Sequence, residues 1–137
     1  MKDIKEAIYQ TLRDDAVLQG MLGYSPQDPR IYYFYPPEEI ELSGSKPAYI
    51  TYYELMAPPP YLEREEELYC IDIWGREMGL NEDIFQRVDA LLNRKTLLFT
   101  NHYNLVTLRE LKRDLFEADR GVYHKVIHYR VVSIPKE

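Results

Sequence analysis

The sequence predicts an α+β fold: a twisted, mostly antiparallel sheet of about four to five strands, with helices packed on one face. Three observations predict it. Residues 67–75 alternate between two sides with a period of two, which is typical of a strand. Residues 81–95 then place their apolar side chains at helical spacing. Residues 104–113 and 122–134 alternate again and are expected to pair as an antiparallel hairpin.

The strand over 67–75 and the helix behind it are expected to form the centre of the core. One side of the strand carries Tyr69, Ile71 and Ile73, and the other carries Cys70, Asp72 and Trp74. Asn81 is expected to be the N-cap of the helix. The apolar side of the helix consists of Ile84, Phe85, Val88, Leu91 and Leu92.

An N-terminal helix is predicted over residues 2–13, because apolar residues recur there at helical spacing. Asp14 or Asp15 then caps a short second helix that Gly23 ends. Residues 31–35 are aromatic and are followed by two prolines, so they predict a short edge strand.

Residues 47–57 form the next predicted strand, and both of its sides are fairly apolar. This pattern favours helices on one face and a neighbouring subunit on the other. The segments 57–67 and 114–121 are expected to be projecting loops. In the strand over 104–113, strict alternation would place Leu111 on the same side as Thr107 and Arg109.

The totals favour one domain over residues 1–137, with a sizeable hydrophobic core, since 45% of the residues are hydrophobic. The first residues lack the apolar stretch of a signal peptide, and no apolar run has the length of a membrane span. Cys70 is the single cysteine and cannot form an internal disulfide, so we expect a cytosol-like environment. A net charge of −6 argues against general nucleic-acid binding.

The charge is unevenly distributed along the chain. Residues 1–93 carry 8 basic and 18 acidic residues, a net charge of −10, whereas residues 94–137 carry 9 and 5, a net charge of +4. Two poles of opposite sign would suit head-to-tail contacts between copies; a solvated surface with chance clustering is the alternative. The 13 tyrosines also have two interpretations: some of them contact other chains, or they occupy ordinary strand positions.

Residues suited to catalysis or metal binding form no recognisable pattern, and no phosphate-binding, nucleophile-elbow or zinc-protease motif is present. On a strand, His124 and His128 would lie about 13 Å apart, so half-buried histidines are favoured over a metal site. Cys70 is expected to be a buried, inert thiol. Asp72 is either a paired or solvent-facing carboxylate, or the partner of an arginine on a neighbouring strand or subunit.

The order of elements and several short motifs resemble the small tail-completion proteins of long-tailed bacteriophages and prophages, also called tail terminators or tail-to-head joining proteins. The resemblance covers nearly the whole chain. The matching stretches are Pro47-Ala48-Tyr49-Ile50, Ile71-Asp72-Ile73-Trp74, Leu91-Leu92-Asn93, the run from Phe116 to His124, and Tyr129-Arg130-Val131.

The resemblance implies a structural, non-enzymatic protein without a cofactor. Such proteins form rings, commonly of six copies, that cap the tail tube and meet the head connector; they act in the virion tail after assembly in the host cytoplasm. Expected partners are therefore other copies of the chain, the tail tube protein and the head-tail connector; the alternative for the chain itself is a monomer in solution that forms a ring only at the tube end. A head-completion or connector adaptor protein is the alternative, and a small enzyme with an unrecognised pocket is a third hypothesis.

Interaction residues are expected in the two predicted loops, because both are charged or proline-rich excursions from strands. The candidates are Tyr61, Arg64, Glu65, Glu66, Phe116, Glu117 and Arg120.

Overall fold

The computed structural model describes residues 2–36, 40, 42–57 and 64–136. Within these residues the chain forms three helices and one five-stranded sheet, which confirms the predicted α+β class. In chain order the elements are α1 (Lys2–Arg13), α2 (Ala16–Leu22), β1 (Ile31–Tyr33), β2 (Ala48–Met56), β3 (Glu65–Gly75), α3 (Met78–Leu92), β4 (His102–Glu117) and β5 (Val122–Pro135).

The strand order across the sheet is β1-β2-β3-β5-β4, so the predicted central strand lies in the middle. β1 pairs with β2 in parallel, and the other neighbours are antiparallel. The expectation of a mostly antiparallel sheet with a short edge strand near residue 31 is confirmed. The predicted hairpin is also confirmed, as β4 and β5.

The two faces of the sheet have different surroundings. On the helix face, the cross-strand row Tyr52, Ile71 and Ile127 is buried in one core with side chains of α1, α2 and α3. The helices supply Ile4, Ile8, Leu12, Leu18, Leu22, Ile84, Phe85, Val88 and Leu92 to this core. The next row, Thr51, Asp72 and Val126, points to the opposite side, which we call the open face.

Helix α2 is fixed at both ends as its sequence predicts. The side chain of Asp15, not Asp14, is the N-cap and accepts a hydrogen bond from the backbone N–H of Leu18 at 3.0 Å. Gly23 ends the helix in the left-handed region, at φ 73°. Asp15 also accepts two hydrogen bonds from Arg87 of α3, at 2.8 and 2.6 Å, and so connects α2 with α3.

The prediction that Asn81 is the N-cap of α3 is wrong, because the helix already begins at Met78. Asn81 lies buried in the first turn and donates a hydrogen bond to the backbone carbonyl of Tyr123 at 3.1 Å. The absence of a side chain at Gly75 permits this position, because a Cβ there would collide with the Asn81 amide. Asn81 therefore joins α3 to the end of the sheet.

Strand pairing extends further than the alternation predicts. β3 begins at Glu65, which pairs with Ser133, and β4 continues to Glu117, which pairs with Val122. The prediction of loops over 57–67 and 114–121 is therefore wrong for residues 65–67 and 114–117. Both extensions add backbone hydrogen bonds to β5, a non-local partner that local sequence patterns do not reveal.

A β-bulge in β4 changes which side chains share a face. The register shifts between Arg109 and Leu111, so that Leu108 lies opposite Arg130 and Leu111 lies opposite His128. Both leucines thus point to the open face, and the expectation that Leu111 shares a side with Thr107 and Arg109 is wrong. The extra residue of the bulge reverses the alternation from that point onward.

Candidate interaction surface

Part of the open face is covered by the chain segment between β1 and β2. Leu42, Tyr49 and Val122 form a second, small buried cluster against which Tyr32 and Trp74 pack. The rings of Tyr49 and Trp74 stack at a centroid distance of 6.0 Å. This corner is therefore closed by aromatic packing within the chain, and a partner has little apolar surface to reach there.

Next to this cluster, the buried Asp72 side chain is in hydrogen-bond contact with a side chain of the neighbouring strand. Its Oδ1 lies 2.8 Å from Nε2 of His124, whose ring stacks on Trp74 at 3.7 Å. Of the alternatives for Asp72, the paired carboxylate is the one observed, and its partner is a histidine rather than an arginine. His124 Nδ1 lies 3.6 Å from Glu117, so both nitrogens of the ring face carboxylates.

The cysteine lies in an environment that suppresses its reactivity. Burial raises the pKa of the Cys70 thiol to about 12, and the neighbouring Asp72 carboxylate adds to the effect. The thiol therefore remains protonated at neutral pH and is inert as a nucleophile. Among the described residues, no group of three or more His, Cys, Asp and Glu side chains could hold a metal ion.

Two of the predicted interaction residues, Arg64 and Glu66, belong to one ion-pair network with Arg130 of β5 at one end of the sheet. Glu66 lies 2.6 Å from Arg130, and Arg64 lies 3.3 Å from the same carboxylate. Arg130 also contacts Glu110, and this hydrogen bond lowers the pKa of the Glu110 carboxyl. These charges are matched within the chain and remain partly exposed.

Glu65, at the same end, contacts a buried histidine instead. His102 lies between two carboxylates, with Nδ1 2.8 Å from Asp3 and Nε2 3.2 Å from Glu65. Through this histidine the start of α1 is attached to β3 and β4. A structural role therefore accounts for Glu65 without any partner chain.

The other predicted residues lie at the opposite end of the sheet. Phe116 is 54% exposed and packs on the ring of Tyr123. Arg120 donates a hydrogen bond to the Tyr49 hydroxyl at 3.2 Å and lies 3.7 Å from Glu117. β3 separates the two groups by about ten residues, or roughly 33 Å.

The seven predicted interaction residues therefore do not form one site. Tyr61 lies outside the described residues, and the other six divide between the two ends of the strands.

Sequence reasoning missed the exposed apolar side chains of the open face. Leu108, Leu111 and Leu115 lie on β4, whereas Phe34, Tyr35 and Met56 lie in or next to β1 and β2. The only sequence pattern that pointed to these exposed side chains was in β2, where the residues on both sides of the strand are apolar. In β4 the bulge made the apolar stripe invisible to sequence patterns, because strict alternation places Leu108 and Leu111 on opposite sides of the strand.

The described residues contain no helix long and apolar enough to cross a membrane. Comparison with protein-family profiles gave no match, and comparison with curated proteins gave none either. The fold is shared with a solved chain described as "Virion of native gene transfer agent (GTA) particle", with a TM-score of 0.74 and 13% identity. That match covers 98% of this chain and 96% of the other.

A second solved structure, of a chain without a descriptive name, matches with a TM-score of 0.53 and 9% identity. It covers 100% of this chain and 96% of the other. At such low identities the two matches establish a shared fold over the whole chain.

Proposed function

We propose that this chain is a structural component of a phage-like virion. The observation that carries the proposal is the match, over 98% of this chain and 96% of the other, to a chain of a gene transfer agent virion. The protonated Cys70 thiol and the structural pairing of His102 and His124 agree with a role in assembly.

Within the virion, we propose that copies of the chain form a ring, of six copies by resemblance, which ends the tail tube and presents the surface for head joining. The partners would be the tail tube protein and the head-tail connector. The two separated groups of predicted interaction residues support this arrangement. In a ring joined through the sheet edges, the ends of the strands would remain available for these two axial partners.

The experiment is deletion of the gene from the genome that produces the particles, followed by electron microscopy of the lysate. A tail terminator predicts tails of uncontrolled, excessive length and separate, filled heads. Supplying the intact gene from a plasmid should restore normal tail lengths. Plasmid copies carrying Arg64→Glu or Arg120→Glu should restore them incompletely, because each reverses a charge at one end of the sheet.

A head-completion or connector adaptor protein would produce a different result in the same experiment. Tails would then have normal length, and the heads would leak or lack their DNA. Particles with normal tails, filled heads and undiminished infectivity would contradict both roles.

A further inference from the structure

Two exposed apolar regions lie at opposite edges of the sheet and carry no assigned role. The first, the aromatic patch, consists of Phe34, Tyr35, Tyr53 and Met56 at the β1–β2 edge. The second, the leucine stripe, consists of Leu108, Leu111 and Leu115 on the edge strand β4. Large exposed apolar groups that cluster in this way mark interaction sites more often than isolated ones do.

The aromatic patch is held in place by a strained backbone. Phe34 has a φ of 69°, in the left-handed region that bulky residues rarely adopt, and its N–H donates to the Tyr52 carbonyl at 2.9 Å. This conformation places its ring on Tyr53, at a centroid distance of 5.3 Å. Phe34, Tyr35 and Met56 remain 48%, 78% and 59% exposed. A strained residue that exposes an aromatic ring gains little within the monomer, which favours a role in contact.

The leucine stripe depends on the bulge of β4. Leu108, Leu111 and Leu115 lie opposite Arg130, His128 and His124 in the β5 register, so all three share the open face. They are 38%, 42% and 36% exposed. Arg113 lies between them on the same face, opposite Val126, and has no ion pair among the described residues.

The two regions lie at the same height along the strands. Tyr53, Cys70, His128 and Leu111 form one cross-strand row from β2 to β4. The row spans three strand spacings, or about 14 Å. If the Tyr53 end of this row in one copy contacts the Leu111 end in the next copy, the two copies need little displacement along the strand direction. Without such a displacement, successive copies can close into a ring. A displacement repeated at every contact would instead give a helical filament.

The edge formed by β4 and β5 belongs to a basic part of the chain. Residues 94–137, which contain both strands, have a net charge of +4. Of the acidic residues in 31–57, Glu54 lies on β2, and Glu38, Glu39 and Glu41 lie outside the described residues. Contact between two β4 edges would bring like charges together, so contact of this edge with the other edge of a second copy is favoured.

We infer that the aromatic patch of one copy docks on the leucine stripe of the next copy, with Arg113 at the contact. This deepens the ring proposed above and rests on it. The aromatic patch exposes on the order of 400 Å² of side chain and the leucine stripe on the order of 200 Å², which is about half and about a quarter of what each partner contributes to a standard interface. The charged edges around the apolar centre would supply the remainder as a polar rim.

The test is cross-linking with a short bismaleimide between single cysteines placed in the two regions. Tyr35→Cys and Leu111→Cys are made separately and together. Cys70 is 1% exposed and does not contribute. Each variant is followed at rising concentration by sedimentation velocity and denaturing electrophoresis, and circular dichroism verifies the fold.

The double variant is expected to give a ladder of covalent multimers, with about tenfold more product than either single variant, because neighbouring copies hold the thiols at high effective concentration. An equimolar mixture of the single variants should give dimers without a ladder. The matched control is the pair Gln86→Cys and Leu111→Cys, in which Gln86 is exposed on the helix side; it should give no ladder.

Three results would overturn the inference. Dimers of Leu111→Cys alone would show that like edges meet. Oligomers in sedimentation without a ladder in the double variant would reject these surfaces while leaving the ring in place. A protein that remains monomeric at every concentration and gives no cross-linked species would overturn the inference, while the tail lengths after gene deletion would still decide the terminator role.

Discussion

The two faces of the central sheet are both rich in apolar side chains, yet they have different surroundings. On the helix face, Ile71 and Ile127 are fully buried in the core. On the open face, the chain closes only the corner around Tyr49 and Trp74, and the leucine stripe and aromatic patch remain exposed. This difference indicates that the helix face stabilises the fold, and that the apolar groups of the open face are available for assembly.

The largest effect is expected for a truncation on the helix face. Ile71→Ala should lower the free energy of unfolding by about 2–5 kcal/mol, because it removes a fully buried side chain and leaves a cavity. Urea unfolding followed by circular dichroism measures the change. The matched variant on the open face, Leu111→Ala, should lose much less. Equal losses at the two positions would remove the distinction between the faces.

A smaller loss of stability is expected at Asp15, which connects α2 with α3. Asp15→Ala should cost about 1–2 kcal/mol in unfolding free energy, because α2 loses its N-cap, and α3 also loses the partner of Arg87. Asp14 provides the control, since its carboxylate is exposed and pairs only with the adjacent Arg13. Asp14→Ala should leave the urea midpoint close to that of the wild type. A midpoint shifted as far as that of Asp15→Ala would contradict the assigned cap.

The free energy of unfolding should depend on pH in the acid range, because the buried Lys125 of the helix face is paired with the carboxylate of Glu82. The hydrogen bond from Lys125 lowers the pKa of the Glu82 carboxyl below its ordinary value of 4.5, and Lys112 adds to this effect. Folding is therefore stabilised by ionised Glu82 above pH 4.5, and this contribution disappears as the pH falls through the lowered pKa. Because Glu82 is partly exposed, the contribution should be less than about 1 kcal/mol.

Unfolding free energies measured between pH 7 and pH 3 test this dependence. The curve of Glu82→Gln should lie below that of the wild type at pH 7 and meet it at the acid end. The curve of the exposed neighbour variant Asp83→Asn should remain parallel to the wild type. A constant gap between Glu82→Gln and the wild type over the whole range would contradict the assignment.

The smallest effect on stability is expected on the open face. Leu111→Asp should change the unfolding free energy by less than about 1 kcal/mol, because the side chain is already 42% exposed on an edge strand. The same urea titration measures it. A loss comparable to that of Ile71→Ala would mean that the leucine stripe belongs to the folding core.

Local patterns predicted the elements of the fold because each one repeats within a few residues. The alternation of β3, the apolar side of α3 and the Asp15 cap all depend on neighbours in sequence. The parallel pairing of β1 with β2 and the extension of β3 and β4 depend on distant partners. Asn81 illustrates the limit, because its role is set by contacts with Gly75 and Tyr123, neither of which a helix-start pattern includes.

The candidate surface was less predictable than the fold. A single bulged residue in β4 decides that Leu108 and Leu111 share a face, and alternation alone gives the opposite answer. Charge provided a partial signal: the basic part of the chain, residues 94–137, contains the edge strand β4 and its neighbour β5, whereas the acidic part contains the helices and the other three strands. The positions of Glu65 and Glu66 were predicted as loop contacts, but pairing with His102 and Arg130 places them in the structure of the chain itself.

Sedimentation velocity of the wild type and Leu111→Asp, side by side at matched concentrations, tests most directly whether the open face is an assembly surface. We predict that the wild type forms a closed oligomer as its concentration rises, while Leu111→Asp sediments as a folded monomer throughout. A carboxylate buried in the apolar contact without a partner would prevent docking. Identical oligomers for both proteins would contradict the account.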